Sequence, residues 1–133
     1  MKRRTFIFLA GATALTIPFG VCRHRSSSLI QTLGQPDFLG RICDETTIAD
    51  IGAAYCARTP DESQEEKLVS LLLANRDGNH DRSSSAIDSS RLVRQLNLAI
   101  QDDYTAGRVV TVKGWVLSLT EARQCALYTL SHQ

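Results

Sequence analysis

No acidic side chain occurs before Asp37, although the chain holds 14 of them in 133 residues. There is also no CxxC pair, no GxSxG turn and no glycine-rich phosphate loop. These absences remove thiol redox, zinc-ribbon, serine-hydrolase and nucleotide-binding readings. A concentrated basic face is missing too. Setting aside Lys2, Arg3 and Arg4 leaves 12 basic against 14 acidic side chains. Phosphate neutralisation supplies most nucleic-acid affinity, so that class of partner is excluded.

Histidine is scarce. His24, His80 and His132 lie outside the apolar patterns and beside no nucleophile, so nucleophilic catalysis has no visible base. An enzyme would need a site assembled from distant groups, such as Asp103, Tyr104 and Arg108. The pair Asp102-Asp103 makes no acid–base couple, because adjacent helical residues point about 100° apart. It reads as a hydrophilic helix end.

Cys22 belongs to the leader, leaving Cys43, Cys56 and Cys125, an odd number that argues against a disulfide framework. Cys43 and Cys56 end successive helices. In an antiparallel pair of helices they would lie roughly 15 Å apart, beyond disulfide reach. Pairing of Cys56 with Cys125 stays open, and buried free thiols are the favoured reading.

One string resembles a calcium loop. Asp77, Asn79, Asp81, Ser83, Ser85 and Asp88 fall at its ligand spacing. Arg82 stands where such loops need glycine, and Asp88 is shorter than the bidentate Glu, so a solvated loop is expected over 76–85. No metal or cofactor is expected.

What is present begins with the leader. Residues 1–22 combine a basic start with an uncharged stretch from Thr5 to Cys22. That is the pattern of a signal peptide or N-terminal anchor. Arg3-Arg4-Thr5-Phe6-Ile7 resembles the twin-arginine translocation signal, with Arg3, Arg4 and Phe6 as its signal residues. Cys22 stands where a lipoprotein is acylated, but Phe19 and Val21 fit a lipobox poorly. Cleavage, lipidation at Cys22 and retention as an anchor all stay open. Export to the periplasm, or attachment on the periplasmic face of a membrane, is the expected location.

The rest reads as a polar tether over 23–28 and a single domain over 29–133. Its expected class is mainly α: four to five helices, with a short C-terminal β-hairpin or extended segment before the last helix. Pro36 opens a short helix to about Cys43. Thr46 or Thr47 caps a second helix, with Ile48, Ile51, Ala54 and Tyr55 on one face, ending near Arg58. Thr59-Pro60-Asp61-Glu62 reads as a capping box opening a helix over 60–74.

A fourth helix spans 87–104, with Ile87, Leu92, Leu96, Ala99 and Ile100 as its stripe and Gly107 as its stop. The β-branched run Val109 to Val112 and the segment Trp115 to Ser118 flank Lys113-Gly114. This predicts a hairpin, with one extended strand as the rival. A lone hairpin is marginal in water, so Trp115 must pack on the helices or on another protein. Ser118 to Glu121 is a second capping box and opens the last helix.

A twin-arginine leader on a small helical body resembles the small accessory subunits of exported bacterial flavin dehydrogenases. The likeness lies in the layout and carries over no site residues. It implies an escort that travels with a catalytic oxidoreductase partner. Independently of the likeness, Trp115 and the unpaired strand edges of the hairpin are candidate contacts for another chain. The alternatives are a stand-alone envelope protein and the enzyme with a dispersed site.

Overall fold

The computed structural model describes residues 23–74 and 88–133. The leader, with Arg3, Arg4, Phe6 and Cys22, lies outside the described residues, as does the expected loop over 76–85.

The helices are α1 (Arg23–Leu33), α2 (Leu39–Ile42), α3 (Glu45–Arg58), α4 (Glu65–Ala74), α5 (Ser89–Thr105) and α6 (Leu119–Ser131). Between α5 and α6 lies an antiparallel hairpin of β1 (Val109–Val112) and β2 (Trp115–Ser118). The domain is therefore mainly helical, with a hairpin before the last helix. Among the described residues no helix is long and apolar enough to cross a membrane.

Several boundaries move, each for a local reason. The stretch expected as a tether over 23–28 is the first part of α1. The helix expected over 36–43 shrinks to α2, because Pro36 and Asp37 sit in the turn before it. Asp44, not Thr46 or Thr47, caps α3: its carboxylate accepts from Thr47 N at 2.8 Å. Asp88, the last of the calcium-loop ligands, caps α5 through Ser90 N.

The expected helix over 60–74 is split into a 3₁₀ turn (Pro60–Glu62) and α4. The capping box at Thr59 does not form. Thr59 Oγ1 donates back to Tyr55 O at 2.7 Å, and Glu62 turns away to other partners. By contrast, the box at Ser118 is complete. Glu121 N donates to Ser118 Oγ at 3.1 Å, and Ser118 N donates to Glu121 Oε2 at 3.0 Å.

α6 is the axis of the core. Ala122, Cys125, Ala126 and Leu127 are each fully buried, and α1, α3, α4 and α5 all pack against this helix. The contact with α3 is backbone-close. A side chain on Gly52 would collide with the carbonyl of Cys125 and with Thr129 Oγ1. The Thr129 hydroxyl lies 2.9 Å from Ala49 O, tying the crossing further. Leu33, Leu39, Ile48, Ile51, Tyr55, Leu68, Leu72, Leu92 and Leu96 fill the core around it. Burial of that apolar surface is the main stabilising term.

Candidate functional site

The hairpin and the start of α6 gather most of the polar side chains that have unusual surroundings. Their geometry begins at the end of α5. Gly107, at φ 72°, carries the chain out of the helix. Arg108 N donates to Asp103 O at 2.8 Å and Gly107 N to Tyr104 O at 3.3 Å, the paired bonds of a Schellman stop. The chain then enters β1 and turns at Lys113 and Gly114, with φ 50° and 85°. Two successive positive φ values make this a type I′ turn, whose twist suits a two-residue hairpin.

Register decides which side chains face out. Val110 pairs with Leu117 and Val112 with Trp115, and these four point to the core. Val109 and the Thr111–Val116 pair occupy the other face, where Val116 is 60% exposed. Trp115 is half-buried beside Val112 and packs on the core.

Two buried carboxylates fasten the base of the hairpin. Asp103 is 2% exposed and Glu121 3% exposed. Asp103 Oδ2 accepts from Thr120 N at 2.8 Å and Thr120 Oγ1 at 2.7 Å, while Oδ1 accepts from Arg108 Nε at 2.7 Å. Glu121 Oε2 accepts from Tyr104 OH at 2.8 Å as well as from Ser118 N. Both acids sit at the positive end of α6, which favours their charge. The expectation that Asp102-Asp103 forms a hydrophilic helix end therefore holds for exposed Asp102 and fails for Asp103.

The β1 edge and the far end of β2 are engaged by side chains. The Arg58 guanidinium donates to Thr111 O from the β1 side, and Lys113 Nζ lies 3.4 Å from Asp50 Oδ2. At the far end of β2, Ser118 N is taken by Glu121. Such engagement blunts strand edges that would otherwise template pairing with another chain. The outward face carries exposed Val109, Thr111 and Val116.

A second polar cluster braces the 3₁₀ turn against α6. Arg123 donates to Glu62 through Nε at 2.9 Å and Nη2 at 2.8 Å, and Tyr55 OH donates to the same carboxylate at 2.7 Å. The Arg123 guanidinium holds the Glu62 carboxyl below its ordinary value against the opposing effect of burial. Burial, reinforced by Glu62, pushes the Tyr55 hydroxyl up to about 12.

Of the trio Asp103, Tyr104 and Arg108, the structure joins Asp103 to Arg108, while the Tyr104 hydroxyl turns to Glu121 instead. Burial pushes Asp103 up, but the bonds from Thr120 and Arg108 win and its carboxyl lies below the ordinary value. A carboxylate saturated by donors is a weak base at neutral pH. Burial, followed by Glu121, raises the Tyr104 hydroxyl. Cys43, Cys56 and Cys125 are free thiols. Among the described residues no group of three or more His, Cys, Asp or Glu side chains could hold a metal ion.

Sequence reasoning did not find Glu62 with Arg123, Tyr104 with Glu121, or the role of Asp103. The partners stand 61, 17 and 17 positions apart, and no local spacing signals such pairs. Comparison with known proteins gives no match to a family model, a curated protein or a solved structure.

Proposed function

We propose that this chain is a small exported accessory protein that docks on a larger partner, an oxidoreductase subunit routed through the twin-arginine pathway. One observation carries the reading. A hairpin fastened by Asp103 and Glu121 turns Val109, Thr111 and Val116 outward on a rigid base. Apolar side chains held rigidly in solvent lose little entropy on docking, which is what a binding face requires. Trp115 adds the part of its ring that is not covered by the core. The leader, with Arg3 and Arg4 ahead of an uncharged stretch, supports the exported location.

The test is affinity capture from the cell envelope with the unaltered chain and with Val116→Asp. A stoichiometric oxidoreductase retained by the first and lost by the second, at equal helical circular dichroism, is the expected result. A chain that elutes alone in both cases sinks the reading. Replacing Arg3 and Arg4 with Lys should leave a fused reporter inside the cell; unchanged export would remove the twin-arginine route.

A further inference from the structure

Gln124 sits in the middle of α6 with 2% of its surface exposed. Its Nε2 donates to Leu33 O at 3.0 Å and reaches Gln35 O at 3.5 Å. The Leu33 carbonyl ends α1, where helical carbonyls have no partner in their own helix, and Gln35 follows just beyond. An α6 side chain thus caps α1 from 91 positions away. The same contacts fix which way the amide faces, since turning it over would set Oε1 against two carbonyl oxygens.

Oε1 is therefore directed elsewhere. It is shut off from solvent, and no donor among the described residues reaches it. A buried amide oxygen left without a hydrogen bond is costly, and folded proteins commonly meet that need with internal water. Around the carbonyls that Nε2 meets, Leu33, Gly34 and Pro36 are buried while Gln35 is exposed.

We propose that Gln124 Oε1 forms one side of a binding site for a single buried water molecule where α6 meets the end of α1. The water donates to Oε1 and bonds to at least one further polar atom of that junction, as internal waters do. It completes the joint that holds α1, the helix directly following the leader, to the core. This inference does not depend on the docking role.

High-resolution crystallography of the full chain, with water–amide NOE spectroscopy in solution, tests it. Expected are a water oxygen within about 3.2 Å of Oε1 and cross-peaks from the Gln124 side-chain amide to a slowly exchanging water. Gln124→Met should lose the water oxygen from the electron density. A protein donor on Oε1, an inverted amide or a dry Oε1 in the unaltered chain would overturn the assignment, whatever the stability of the variant.

Discussion

Gly52 in α3 rests against the backbone carbonyl of Cys125 in α6, so closely that even a methyl group would overlap it. The carbonyl belongs to a helix and cannot swing aside as a flexible side chain would. Gly52→Ala is expected to cost about 3 kcal/mol, at the upper end of overpacking penalties. Gly40 in α2 supplies the contrast, since a Cβ there meets nothing within 4 Å. Gly40→Ala should stabilise by less than about 1 kcal/mol through the unfolded chain. Urea denaturation midpoints of the two variants check both.

The Glu62–Arg123 pair is mostly shielded, with side-chain exposures of 22% and 17%, and it is bidentate. A double-mutant cycle with Glu62→Gln and Arg123→Met should give a coupling of about 1–3 kcal/mol. Costs that simply add would show that the brace is not energetically shared.

Acid should act through Glu62 and Asp103, both held below their ordinary values. A carboxyl with a lowered folded-state pKa contributes fully above its unfolded value, near about 4. That contribution is lost as pH falls through the lower folded value. Stability should therefore be flat on this account from pH 7 to about 5 and decline below about 4. Asp103→Asn, which sets an amide donor among donors, should cost about 2–3 kcal/mol at pH 7 and flatten part of the acid decline. A variant with an unaltered acid limb would show that Asp103 is not a source of it.

Thiol labelling separates the cysteines. Burial, with Glu121 nearby, pushes the Cys125 thiol up to about 12. At pH 8 its thiolate fraction is about one in ten thousand, so it should react only through opening of the fold. Cys43 and Cys56 are half-buried and should label first. Mass-spectrometric mapping of alkylation with time checks the order, and equal rates for Cys125 and Cys56 would contradict it.

What the sequence made legible is local. The Ser118–Glu121 box, the Lys113-Gly114 turn and the Gly107 stop involve residues within a few positions of each other, and all three form as read. The same reasoning failed at Thr59–Glu62. The local box competes there with a bidentate guanidinium from Arg123, a charged partner worth more than one cap. Asp103 misled for a related reason: next to Asp102 it looks solvated, and only the return of the chain to Thr120 buries it. The sequence offers Trp115 two places to pack, helices or another protein; the structure sets it half-buried against the core. Outward-facing Val116 followed from strand register, which the sequence left open between a hairpin and one strand.

α6 is enclosed on nearly every side, yet it is the last of these elements that a ribosome makes. The earlier helices meet one another only in part, so much of their apolar surface waits for this segment. Assembly of the body is therefore a late, concerted event rather than a stepwise accretion. Any factor that keeps the nascent chain soluble has to act on partners whose keystone has not yet arrived.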